Sequence, residues 1–246
     1  MKKRKNKKSY FFYDFVKITA AIPGLLWFRP KRIYASEAAK QRIRGGALLI
    51  ANHSSNIDPI ILMFGIYYRR HHFIATKELF DTRFKRFWFE NFHCIEIDRE
   101  NFGMGSFRSI IDMLKADKLI SMFPEGHVTN NEEVQKFKSG MVLMAVSSGK
   151  PIVPVYIKVR KRFWQRQYVI IGEPINPTAM LQKMPTLSDM DRVAELLREK
   201  EKELKEIADS IGLKKRKKPI VKNDANKKSS IHKESQQDEI RDKTPV

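Results

Sequence analysis

The sequence predicts an α/β fold, with a mostly parallel or mixed central sheet flanked by helices. Three observations predict it. Short apolar runs alternate with longer amphipathic segments from residue 47 onward, and the order is strand then helix, repeated, which argues for crossover connections. The chain has 246 residues, 42% of them hydrophobic, enough for one sizeable core.

Taken in order, residues 1–9 form a basic segment, with "KKRKNKK" at 2–8. Residues 10–46 are expected to be a membrane-associating helical segment and linker. The stretch "YFFYDFVKITAAIPGLLWF" is apolar, but Asp14 and Lys17 interrupt it and Pro23-Gly24 should break it into two short helices. Those features make it a poor bilayer span and a poor secretory signal. Aromatic residues at both ends and a polybasic flank suit a helix pair lying in the headgroup region. The plainer alternative is an apolar helix packed on the domain core.

Residues 47–213 carry the α/β pattern. "ALLIA" (47–51), "HFIAT" (72–76), "CIEID" (94–98), "KLISMF" (118–123), "IVPVYIKV" (152–159) and "YVIIG" (168–172) read as strands. Helices are expected over 57–68, 82–91, 104–116 and 137–147. Pro154 and Pro174 suggest that the last strands are bent or near an edge. The segment from Ser188 reads as one amphipathic C-terminal helix with Ser188 as N-cap and Gly212 as its stop, packing through Met190, Val193, Leu197, Leu204, Ile207 and Ile211. The composition of 214–246 predicts a basic disordered tail.

The formal charge is +20, of which residues 1–8 contribute +6 and residues 214–246 another +6, leaving a basic body. Such a chain suits a polyanionic partner, either nucleic acid or an anionic membrane surface. Cys94 is the only cysteine, so no intrachain disulfide can form, and its apolar setting makes an inert core thiol the expectation. No His/Cys/Asp/Glu spacing has ligand geometry, so neither a metal nor a cofactor is expected.

Three strands end in polar turns. "ALLIA" stops in "NHSSNID", where His53 and Asp58 are five residues apart. On a regular helix that spacing is about 140° of rotation, so the two meet only if the strand-to-helix turn folds back. A His held by an Asp is a general base able to take a proton from an alcohol. Taken alone, the same residues read equally well as a capped turn beside a surface ring. "MFPEGHVTN" bends at Pro124 and Gly126 and projects Glu125, with "FKSG" following at 137–140. "IEIDR" ends in Asp98 and Arg99, the latter suited to bidentate phosphate binding. Lys77, after "HFIAT", could balance an oxyanion or contact phosphate. All these turns lie at strand carboxyl ends, where open α/β sheets keep their ligand sites.

"NHSSNID", "IEIDR", "FPEG" and "IVPV", in this order and spacing, resemble the four blocks of the glycerolipid acyltransferases, in particular those acting on 1-acyl-sn-glycerol 3-phosphate. The matching region runs from about Ala47 to Gly172. The resemblance implies a monotopic membrane enzyme moving a fatty acyl group from acyl carrier protein or coenzyme A to a lysophospholipid, giving phosphatidic acid, on the cytoplasmic face of the cell membrane. It implies His53 as general base, Asp58 as its orienting partner, Arg99 as phosphate ligand, and Glu125 and Gly126 as positioners of the glycerol. One departure stands out: the third block usually continues into Thr-Arg-Ser, whereas this chain has His127, Val128 and Thr129 there. That leaves open another acceptor, such as glycerol 3-phosphate or a different lysolipid. A non-catalytic membrane scaffold and a nucleic-acid-binding protein are the readings of other classes, and the second leaves His53, Asp58 and Glu125 without a purpose.

Overall fold

A computed structural model describes residues 9–98, 103–126, 128, 137–158, 160, 162, 164–181 and 185–213. Residues up to Asp209 make one compact unit, which holds the whole sheet. The basic segment 1–8 and the tail 214–246 lie outside the described residues.

The sheet has seven strands: β1 (Lys31–Tyr34), β2 (Ala47–Ala51), β3 (His71–Thr76), β4 (Ile95–Ile97), β5 (Leu119–Met122), β6 (Ile152–Lys158) and β7 (Tyr168–Ile171), in the order β1-β7-β6-β2-β5-β3-β4. Every neighbouring pair is parallel except β6 with β7. The six expected strands are all present: β2 has the expected ends, β3 begins one residue earlier, and the other four are shorter by one residue at one or both ends. β1 is an addition, because "KRIY" is too short and too charged to stand out as a strand.

Pro154 does not mark an edge, since β6 lies between β7 and β2. Antiparallel pairing with β7 begins only at Val155, one residue beyond the proline, so the missing N–H falls outside that ladder. Gly172 makes room for the ring: a Cβ there would meet Pro154 Cγ at 2.9 Å.

All five residues of β2 are fully buried, and they divide by alternation. Leu48 and Ile50 join a core with Ile110, Leu114, Met141, Val193 and Leu197, contributed by α5 (Met104–Lys115), α6 (Gly140–Ser148) and α8 (Leu187–Leu213). Ala47, Leu49 and Ala51 face the other way, against Ile61 and Leu62 of α3 (Asp58–Gly65). The remaining helices are α1 (Phe11–Thr19), α2 (Ala21–Phe28), α4 (Arg83–Asn91) and the single turn α7 (Pro177–Met180).

Helix α8 is capped earlier than the sequence suggests. Thr186, not Ser188, is the cap: its N–H and hydroxyl donate to the Asp189 carboxylate at 3.0 and 2.8 Å, and Asp189 N–H donates back to its Oγ1 at 3.2 Å. Gly212 does not stop the helix, which is described through Leu213.

The N-terminal helices also break elsewhere than expected. α1 and α2 meet at Ala20 with a bend of 51°, and neither is long and apolar enough to cross a membrane. Pro23 sits in the first turn of α2, where its missing N–H costs nothing. Gly24 instead permits close packing, since a Cβ there would lie 2.1 Å from the Phe64 ring of α3.

The charges of α1 face the protein. Asp14 accepts two N–H bonds from the Arg70 guanidinium at 2.8 and 2.6 Å, which holds its carboxyl below the usual range. Lys17 donates to the carbonyls of Tyr67 and Arg69, and Tyr13, 1% exposed, accepts the His71 N–H. The outer face carries Phe11, Phe15 and Ile18, continued on α2 by Ile22, Leu25 and Leu26, all exposed. A helix with its ions inward and its apolar groups outward inverts the pattern of a soluble surface helix.

Candidate active site

The site lies at the carboxyl ends of β2 and β5, adjacent strands at the middle of the sheet. Asn52 closes β2 by extending its ladder through a side chain. Its Oδ1 accepts the Ile157 N–H at 2.7 Å, and its Nδ2 donates to the Ile157 carbonyl and to Ser54 Oγ at 3.1 Å each. The next residue, His53, is thereby fixed at the rim.

The turn then folds back as the five-residue spacing requires. Asp58, in the first turn of α3, presents Oδ2 to three donors: Ser54 N–H and Ser55 N–H at 2.7 Å each, and His53 Nδ1 at 3.1 Å. The side chain of Asp58 is 3% exposed and that of His53 17%. Oδ2, already an acceptor from two backbone N–H groups, is an acceptor toward the ring as well, so Nδ1 carries the ring proton and Nε2 becomes the basic nitrogen. Phe123, directly after β5, stacks on the imidazole, which fixes the plane that Asp58 orients.

His53 lines a cavity of about 230 Å³. Its walls are almost wholly apolar, drawn from Phe73, Ala75, Leu79, Phe89, Ile97 and Met122, with Gly126 and Lys138 also in the lining. Gly126 has a φ of 81° and a Cβ there would touch nothing, so the turn needs glycine for its backbone rather than for space. Cys94 packs against the core as expected and also lines the cavity, and burial pushes its thiol up to about 12, which removes it as a nucleophile at neutral pH.

Glu125 is 7% exposed, in the turn beside Gly126. Lys77, at the end of β3, donates to Asp98 Oδ2 at 2.7 Å, so the turns after β3 and β4 are tied to one another. β4 is three places from β2, about 14 Å by strand spacing, so a ligand reaching both His53 and the end of β4 must be elongated. Arg99, His127 and Thr129 lie outside the described residues, and Val128 is 39% exposed.

Sequence reasoning does not single out two contributors. Asn52 is visible in "NHSSNID" but reads there only as a cap. Phe123 carries no local signal that distinguishes a site wall from a core ring.

The chain matches the model of the Acyltransferase family over residues 32–158, just over half its length and inclusive of the carboxyl ends of β2, β3, β4 and β5. It is 29% identical over 171 residues to the 1-acyl-sn-glycerol-3-phosphate acyltransferase of Bacillus subtilis, covering 68% of this chain and 84% of that protein. It is 30% identical over 152 residues to the probable 1-acyl-sn-glycerol-3-phosphate acyltransferase of Mycoplasma pneumoniae, covering 53% of this chain and 57% of that one. The crystal structure of the 1-acyl-sn-glycerophosphate (LPA) acyltransferase PlsC from Thermotoga maritima superimposes with a TM-score of 0.57 over 79% of this chain and 80% of that one, at 20% identity, which speaks for the fold. A family match that spans both central turns, on a sheet of the same architecture, leads to one conclusion: the chain belongs to the acyltransferase family of enzymes.

Proposed function

We propose that this enzyme moves a fatty acyl group from acyl carrier protein or coenzyme A to the free hydroxyl of 1-acyl-sn-glycerol 3-phosphate, giving phosphatidic acid. The observation that carries the reading is that His53, held by Asp58, lines an apolar cavity. An acyl chain needs a dry channel and the acceptor hydroxyl needs a base, and the two meet at His53 Nε2. His53 takes the hydroxyl proton as the oxygen attacks the thioester carbonyl. The C–O bond forms, the C–S bond breaks, and the imidazolium returns its proton to the leaving thiolate. Asp58, held by two backbone amides, stabilises the imidazolium without moving.

Arg99 would take the acceptor phosphate, Glu125 and Gly126 would position the glycerol, and Lys77 would add positive potential beside Asp98. The names of the Bacillus and Mycoplasma relatives support this acceptor. The sequence departure at His127–Thr129 favours one second reading, the same chemistry on another phosphorylated or phosphate-free acceptor. The inverted face of α1 and α2 supports attachment to the surface of a membrane, monotopically and on the cytoplasmic side, where the basic charge meets anionic lipid.

The test is an acceptor panel. Purified protein is given one labelled acyl donor with lysophosphatidic acid, glycerol 3-phosphate or lysophosphatidylcholine, beside a His53→Ala variant. Transfer confined to lysophosphatidic acid and abolished in the variant is expected; preference for the phosphate-free lipid overturns the acceptor assignment, and full activity of the variant overturns the mechanism.

A further inference from the structure

The carboxyl ends of the strands hold the candidate active site, and the amino ends of β3 and β5 hold a second recess of a different character. Its volume is about 460 Å³, and Lys17 of α1, Arg69, Arg70 and Lys118 all line it. Lys118 precedes β5 and Phe123 follows it, five residues on, so about 17 Å of strand separates this lysine from the ring that stacks on His53.

The cations are held in place by neutral groups that leave their charge uncompensated. Arg69 donates to the carbonyls of Ile43, Gly45 and Asp117 at 2.9, 2.7 and 2.9 Å. Lys17 donates to the carbonyls of Tyr67 and Arg69. Tyr10 gathers the other two. His72 Nδ1 meets the Leu119 carbonyl at 3.2 Å, and a carbonyl only accepts, so Nδ1 carries the proton and Nε2 accepts the Tyr10 hydroxyl at 2.9 Å. Over the ring pinned in this way, the Arg70 guanidinium and the Lys118 ammonium lie 4.7 and 5.1 Å from the centroid.

Two carboxylates share the recess, and both are already committed. Asp14 takes the Arg70 guanidinium, and Asp117 takes Lys150, which comes from outside the recess, at 2.9 Å. Lys17, Arg69 and Lys118 have no ion pair among the described residues. Three like charges gathered around one recess repel one another, and an anion seated among them removes that cost.

The neighbouring surface decides what kind of anion. Asp14 and Lys17 also line an apolar groove of about 680 Å³, formed with Ile18 of α1, Ala21 and Leu25 of α2, and Phe64 of α3. Ile18 and Leu25 belong to the outward apolar face. A cationic recess that shares its rim with such a groove matches a molecule with a phosphate at one end and a hydrocarbon chain at the other. An acidic protein or a free phosphate would use the cations and leave the groove empty.

We infer that the recess at the amino ends of β3 and β5 is a second lipid site, which seats the phosphate of an anionic phospholipid among Lys17, Arg69 and Lys118 while an acyl chain lies in the groove between α1 and α2. The lipid there is a bound partner and not a substrate, because His53 stands at the opposite rim of the sheet. The inference rests on the proposed attachment of α1 and α2 to a membrane surface, and it gives that attachment a defined headgroup contact.

The test uses the full chain and dihexanoyl phosphatidylglycerol below its micelle concentration, so that no bilayer surface is present, with binding followed by calorimetry. Saturable binding to wild type is expected. Lys118→Glu should raise Kd about tenfold, the milder Lys118→Gln about threefold, and Leu25→Gln, in the groove, about fivefold. Lys115→Glu makes the same charge change on the exposed last turn of α5, outside the recess, and should leave Kd unaltered. Melting curves establish that each variant is folded. Equal Kd in Lys118→Glu and Lys115→Glu places the lipid elsewhere and overturns the inference. So does inorganic phosphate that binds as tightly as the lipid, which makes the groove irrelevant, and so does loss of acyl carrier protein binding in Lys118→Glu with lipid binding intact, which gives the cations to a protein. Vesicles of phosphatidylcholine with about 20% phosphatidylglycerol separate the site from the reading beneath it. Wild type that sediments with them but shows no Lys118-dependent binding of the soluble lipid overturns the site alone, and wild type that ignores them overturns the membrane attachment itself.

Discussion

The rings of His53 and Phe123 lie face to face, with centroids 4.1 Å apart and planes 16° from parallel. Phe123 is itself nearly parallel to Phe73 of β3, at 6.4 Å and 5°. The imidazole is therefore held at its edge by a carboxylate and on its face by an aromatic stack. Replacing Phe123 by Leu keeps the apolar volume and removes the flat wall. Transfer should fall about 2- to 10-fold, mostly in kcat, the range expected for one aromatic pair. Steady-state kinetics with a melting curve as control decide it; unchanged kcat would show that Asp58 alone orients the ring.

Asp58 and His53 act as a unit in the proposed mechanism. Asp58→Asn keeps a carbonyl for the two serine amides but cannot hold the imidazolium, so kcat should drop by about 10²- to 10⁴-fold. His53→Ala should lose at least as much, and the double variant should be no worse than His53→Ala. Losses that multiply would mean that the two residues contribute separately.

His71 and His72 open β3 and are buried, and burial pushes them down to about 3 and about 4. In the unfolded chain both would take a proton near pH 6.5. The folded state thus binds fewer protons in acid, and its stability is complete above about pH 6.5 and lost as pH falls toward those lowered values, each histidine costing about 1.4 kcal/mol per pH unit within its window. The urea midpoint should fall between pH 7 and pH 5, before the carboxylates titrate. A midpoint flat across that interval would contradict the buried neutral state, and His72→Phe should flatten the slope.

The proposed membrane attachment assigns the contact with lipid to the exposed face of α1 and α2. Ile18→Gln, Ile22→Gln and Leu26→Gln together remove three large side chains that are each 72% exposed, so the fold should hold. Partition onto vesicles containing anionic lipid should fall by tenfold or more, given about 1.5–3 kcal/mol for each such side chain buried. Cosedimentation at several salt concentrations measures it; wild-type partition by the triple variant would transfer the membrane contact elsewhere.

Gly24 joins that face to the catalytic domain. Gly24→Leu would drive a side chain into the Phe64 ring and should cost roughly 1–3 kcal/mol, seen as a lowered melting temperature, whereas Gly105→Ala, where a Cβ touches nothing, should leave it unchanged.

The central strands were legible in the sequence because "ALLIA" and "IVPVYIKV" are apolar on both faces and are followed by helical periods. The His53–Asp58 pair was legible because a polar cluster at the end of such a strand has few other purposes. Legibility failed where the deciding partner is remote. β1 becomes a strand only beside Tyr168–Ile171, and Pro154 looks like an edge residue until β7 is known to begin its pairing one residue later. Glu201 is written as one more charge in "REKEKELKE" and is told from its neighbours only by the face it occupies. Asp14 and Lys17 read as breaks in an apolar run, when their partners, Arg70 and the turn after α3, lie some fifty residues on.

The pairing of Lys31 with Tyr168 has a consequence for biosynthesis. α1, α2 and β1 leave the ribosome well before the strand that receives β1, which is more than a hundred residues behind it. At about 5–20 residues per second the leading helices wait for around ten seconds with their apolar side chains uncovered. A lipid surface available during that interval would shelter them, so the nascent chain would be moored before its sheet has closed.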